Sequence, residues 1–99
     1  MPEPPSAQSD TLVRQLTIIN KKGLHARASA KFVQTVDRFD AEVTVTRGSE
    51  TVGGRSIMGL LTLGAAQGTS LTISAEGPDA AACLAAVEQL LSERFGEDE

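Results

Sequence analysis

The apolar residues of this chain change spacing repeatedly, and that alternation restricts the fold more than any single motif does. Between Thr11 and Asn20, Leu12, Leu16 and Ile18 fall on one face of an extended segment, with Val13 and Ile19 on the other. From Ala26 the step lengthens to three and four, so that Ser29, Phe32, Val33, Val36 and Phe39 line one side of a helix. Ala41, Val43 and Val45 then alternate with Glu42, Thr44 and Thr46, the two-residue period of a half-buried strand. Arg47-Gly48-Ser49 turns the chain, and Glu50-Thr51-Val52 returns it as a short strand. Ser56 is a good helix N-cap, and Ile57 to Leu63 predicts a short apolar helix stopped at Gly64. Leu71, Ile73 and Ala75 alternate in a fourth strand. Gly77-Pro78-Asp79 opens a last helix with Cys83, Leu84, Val87, Leu90 and Leu91 in one stripe. The order βαββαβα predicts an α+β two-layer open-faced sandwich: a four-stranded, mainly antiparallel sheet with three helices on one face.

A chain of 99 residues accommodates one such domain with one core. Aromatic residues make up only 3% of it, so Ala, Val, Leu and Ile build the core, with Phe32, Phe39 and Phe95 as its large rings. A deep enzyme cleft is hard to carve from that material, and chemistry at the surface is expected. A formal net charge of -4, dispersed basic residues and the absence of Trp and Tyr argue against nucleic-acid binding. No apolar run is long enough to span a bilayer and no leader pattern opens the chain, which predicts a cytoplasmic protein without membrane attachment; a monomer is expected. The single cysteine, Cys83, excludes an internal disulfide and an all-cysteine metal site, and it is expected to pack within the last helix. No metal or cofactor is expected. Residues 1–10 read as a disordered extension, 11–95 as the domain, and 96–99 as a frayed, solvated acidic tail.

The chemistry concentrates at His25, the only histidine. It lies between the turn Asn20-Lys21-Lys22-Gly23 and the first residue of the first predicted helix. A helix start presents free N–H groups and partial positive charge, which stabilise a phosphoryl group without a dedicated pocket. Neutral imidazole is a competent nucleophile near physiological pH, and Arg27 offers a permanent cation with a fork of donors. A lone histidine in such a place is more often an ordinary surface or capping residue, so its neighbours carry the case.

Those neighbours are Gly23-Leu24-His25-Ala26-Arg27 with Ala28-Ser29-Ala30-Lys31-Phe32, and later Arg55-Ser56-Ile57-Met58-Gly59-Leu60-Leu61-Thr62-Leu63-Gly64 followed by Gln67-Gly68-Thr69. In this order and spacing, from Leu12 to Phe95, the chain resembles the histidine-containing phosphocarrier (HPr) family of the phosphoenolpyruvate phosphotransferase system. The resemblance implies a relay. His25 takes a phosphoryl group on Nδ1 from phosphorylated enzyme I and passes it to an enzyme IIA protein or domain. Arg27 and the Ala26 and Arg27 amides assist at the phosphate. A carrier of this kind is closer to a substrate than to an enzyme. The family usually has Pro where this chain has Ala28, which with the following Ala-Lys-Phe looks more like the nitrogen-type branch.

Ser56 admits two readings: a helix cap alone, or, as the resemblance implies, a regulatory phosphorylation site served by a serine kinase. The short helix holds more apolar residues than one buried face uses. Leu60 and Leu63 are expected inward, leaving Ile57, Met58 and Leu61 as a docking patch for partners. The rival to the carrier is a regulatory or ligand-binding module of the same βαββαβ architecture that works without phosphorylation.

Overall fold

The computed structural model describes residues 11–99, and the extension expected over residues 1–10 lies outside the described residues. In chain order the elements are β1 (Leu12–Thr17), α1 (Ala26–Val36), β2 (Glu42–Arg47), β3 (Glu50–Gly53), α2 (Ile57–Thr62), β4 (Ser70–Glu76) and α3 (Ala80–Ser92), then a 3-10 turn over Arg94–Gly96. The sheet runs β1-β4-β2-β3, and each of its pairings is antiparallel. The βαββαβα sandwich expected from the alternation of periods is the fold observed.

Inward residues of the strands, Val43, Val45, Leu71, Ile73 and Ala75, are buried against Phe32 and Val36 of α1, Leu60 of α2, and Cys83, Leu84, Val87 and Leu91 of α3. Full burial of one such aliphatic side chain is worth about 1.5–3 kcal/mol, so this shared core holds the helices on the sheet. The opposite face is open and polar. There Thr44 Oγ1 meets Ser74 Oγ at 2.8 Å and Thr46 Oγ1 meets Thr51 Oγ1 at 2.8 Å across the strands. Burial pushes the Cys83 thiol upward, against the smaller lowering effect of Arg55, which keeps it an inert packing residue.

Boundaries depart from the sequence expectation where a turn intervenes. Helix α1 stops at Val36, so Phe39 reaches the core from the following turn rather than from the helix face. Arg55 secures that end. Its guanidinium donates to the Ala41 carbonyl at 2.9 Å and the Phe39 carbonyl at 3.1 Å, and it pairs with Asp37 at 2.8 Å. The end of α1 is thereby tied to the residue that precedes the N-cap of α2. Gly54 tolerates no side chain here, since a Cβ would lie 2.6 Å from Val43 Cγ1. Asp79 begins α3 without a side-chain cap and instead accepts the Asp40 N–H at 2.8 Å.

Candidate functional site

The segment between β1 and α1 is clamped on both sides of its turn. Ile18 exchanges backbone hydrogen bonds with Thr69 at 2.9 Å and Gly68 at 2.7 Å, and the Leu24 N–H donates to the Ala65 carbonyl at 2.8 Å. Gly23 makes this close approach possible. Its φ is +72°, and an added Cβ would sit 2.6 Å from the Ala65 oxygen. With Leu24 buried immediately before it, His25 has little freedom at its backbone.

His25 is the N-cap of α1, with extended backbone angles of -80° and -177°. Its carbonyl accepts the Ser29 N–H at 2.8 Å, while its side chain makes no capping bond. The amides of Ala26, Arg27 and Ala28 therefore precede the first intrahelical bond and remain available to an anion. Ala28 is fully buried and the helix is intact around it, so the absent proline does not interrupt α1.

The imidazole is held from an unexpected direction. Its Nε2 lies 2.5 Å from Glu97 Oε2, across 72 residues of sequence. The other oxygen, Oε1, accepts from Asn20 Nδ2 at 3.0 Å, and the same amide donates to the Gly23 carbonyl at 2.8 Å. Asn20 is fully buried. Partial burial raises the affinity of the Glu97 carboxylate for a proton. The hydrogen bonds from His25 and Asn20, together with electrostatic attraction from His25 and Lys22, outweigh it and hold the carboxyl below the usual glutamate range. Among the described residues no hydrogen bond engages Nδ1 of His25, so that nitrogen is the one left for chemistry.

Of the acidic tail expected to be solvated over 96–99, Gly96, Asp98 and Glu99 are exposed, whereas Glu97 is drawn against the imidazole. Phe95 is fully buried, the Lys31 ammonium donates to the Phe95 carbonyl at 2.6 Å, and the Lys21 N–H donates to the Glu99 carbonyl at 2.8 Å. The buried ring and these backbone anchors bring Glu97 to His25. Arg27 is exposed and lines a shallow hollow with Lys21, Lys22 and Lys31 on one side and Gly96–Glu99 on the other.

Ser56 is the N-cap of α2, and its hydroxyl accepts the Gly59 N–H at 2.9 Å. The capping expectation is met. Leu60 and Leu63 are buried, whereas Ile57 is 38% and Met58 71% exposed and Leu61 is half-buried. Sequence reasoning missed Glu97 as the partner of the histidine, and Asn20 and Lys31 as residues that hold Glu97 and the turn before it. The one available signal was Phe95 just ahead of the terminal acids, since a phenylalanine expected in the core carries its neighbours toward it.

A family model described as "PTS HPr component phosphorylation site" matches residues 12–93 of this chain. The chain belongs to the HPr family. It is 48% identical over 88 residues to the phosphocarrier protein HPr of Neisseria meningitidis, covering 89% of this chain and 99% of that protein. It is also 42% identical over 86 residues to the phosphocarrier protein NPr of Shewanella violacea, covering 87% and 94% of the two chains. The crystal structure of HPr-C-His from Thermoanaerobacter tengcongensis superposes with a TM-score of 0.85 at 39% identity, covering 89% of this chain and 99% of that one. The family consists of phosphocarriers of the phosphotransferase system that interact with its enzymes and are not themselves enzymes. Among the described residues there is no cluster of side chains suited to a metal, and no helix is long and apolar enough to cross a membrane.

Proposed function

We propose that His25 is the phosphoacceptor of a cytoplasmic relay, taking a phosphoryl group from phosphorylated enzyme I and delivering it to an enzyme IIA protein or domain. One observation carries this reading: the imidazole stands at the N-terminus of α1 with Nε2 engaged by Glu97 and Nδ1 not engaged. The Nδ1 lone pair attacks phosphorus while the bond to the donor breaks and its electrons leave with the donor. The Ala26 and Arg27 amides and the Arg27 guanidinium hold the phosphate oxygens. On delivery the Nδ1–P electrons return to the ring as the acceptor forms its own bond to phosphorus.

Ile57, Met58 and Leu61 form the apolar part of the surface on which donor and acceptor dock in turn, and methionine suits a patch that must fit more than one partner. A kinase acting on Ser56 would place a phosphate at the start of α2, electrostatically favourable for the helix and repulsive toward an acidic partner. The test is incubation with phosphoenolpyruvate and a matching enzyme I, read by intact mass. One acid-labile phosphate on the wild-type protein and none on His25→Ala is the expected result. An unmodified wild-type mass overturns the proposal. For Ser56, an ATP-dependent, acid-stable phosphate formed in a cell extract should disappear in Ser56→Ala; its persistence moves that site elsewhere.

A further inference from the structure

We propose that Glu97 is a positioning residue for phosphoryl transfer: its carboxylate, oriented by the buried amide of Asn20, holds the Nε2 proton of His25 and thereby makes Nδ1 the nucleophile. This rests on the reading of His25 as phosphoacceptor. Neutral imidazole carries one proton on either of its nitrogens, and only the bare nitrogen can attack phosphorus. A carboxylate accepts and cannot donate, so its place at Nε2 selects the tautomer with the proton there and the lone pair on Nδ1. A carboxylate that orients an imidazole through the nitrogen remote from the chemistry is a general device for nucleophile control.

The same contact acts during the transfer. As the Nδ1–P bond forms and the donor bond breaks, positive charge develops on the ring and is shared by both nitrogens. The proton stays between Nε2 and Glu97, where the carboxylate compensates that charge. On onward transfer the charge disappears as the Nδ1–P electrons return to the ring. Glu97 forms no bond to phosphorus.

The fold commits local strain to this placement. Arg94 and Phe95 both have φ of 56°, a left-handed conformation that disfavours side-chain-bearing residues and persists only where surrounding contacts enforce it. Burial of Phe95 and the Lys31 bond to its carbonyl enforce it here, and the turn delivers Glu97 to the imidazole. At the contact the His25 and Glu97 side chains are 28% and 19% exposed, so water competes weakly for it.

The test compares wild type, Glu97→Ala and Glu97→Gln by imidazole nitrogen NMR of the unphosphorylated protein and by single-turnover transfer from phosphorylated enzyme I. Wild type should show the proton on Nε2. Glu97→Ala should show a mixture of tautomers and transfer about 10- to 100-fold more slowly. Glu97→Gln keeps a carbonyl acceptor without the charge, so it should retain the Nε2 tautomer and recover part of the rate, with thermal melting confirming that each variant is folded. A Glu97→Ala protein with the wild-type tautomer and transfer rate overturns the proposal. So does one that loses rate while its tautomer is unchanged. A wild-type protein that takes up no phosphate overturns the carrier reading instead, and shows itself before any variant is compared.

Discussion

Helices α1 and α2 both begin at a residue in extended conformation whose side chain has a polar atom to spend, and they spend it differently. Ser56 turns its hydroxyl inward to the Gly59 N–H, so the start of α2 is satisfied from within. His25 turns its ring away from α1, toward Glu97 at the other end of the chain, and leaves the first amides of the helix free. A cap that serves its own helix stabilises the fold. A cap residue held by something else leaves behind an anion site beside a nucleophile. The position is the same in both helices, and the destination of one side chain separates a structural end from a reactive one.

The sharpest way to break the comparison is His25→Ala. It should abolish phosphate uptake while changing stability to urea by no more than about 1 kcal/mol, the worth of its contact with Glu97, because the ring does not cap the helix. A large loss of stability would make His25 a structural cap like Ser56. Arg27→Ala should come next, slowing transfer about tenfold in single-turnover kinetics with an unchanged circular dichroism spectrum, since the guanidinium is exposed. Loss of the spectrum would instead make Arg27 part of the fold. At the other helix the effect should reverse: Ser56→Ala should cost about 1 kcal/mol of stability and leave uptake at His25 at the wild-type rate.

The smallest expected effect concerns acid. Glu97 holds its proton less tightly in the folded protein than in the unfolded chain, so the unfolded chain binds protons first as pH falls. Its contribution is complete above the unfolded value of about 4.3 and is lost as pH drops through the lower folded value. For a contact that keeps some solvent exposure this is worth less than about 1 kcal/mol. Protection of the Lys21 and Glu97 amides should therefore fall as pH drops below the ordinary glutamate range, before that of the core amides. Lys21 and Glu97 amides without protection at neutral pH would mean that the terminal segment is not docked.

What the sequence made legible follows from the range of the physics involved. The alternating periods of Val43, Val45, Leu71 and Ile73 and the helical spacing of Phe32 and Val36 are local signals, and they placed every strand and helix to within a few residues. The Ser56 cap and the Gly23 turn were readable for the same reason. Phe39 was assigned to the helix face because its spacing continues that of Val36, although Asp37 and Arg38 already turn the chain. Sequence alone places Glu97 with the solvated acids Asp98 and Glu99 beside it. Its bond to His25 depends on where the turn through Arg94 and Phe95 points, a tertiary outcome that no period or motif encodes. Half of the site was thus written in one pentapeptide, and the other half in the packing of a phenylalanine.

Nitrogen and phosphorus NMR of the protein after reaction with phosphoenolpyruvate and enzyme I tests the central claim most directly, because it names the atom that carries the phosphate. A single phosphoramidate on Nδ1 of His25, with Nε2 still protonated, is the expected result. Phosphate on Nε2, or on Ser56 in place of the histidine, would contradict it.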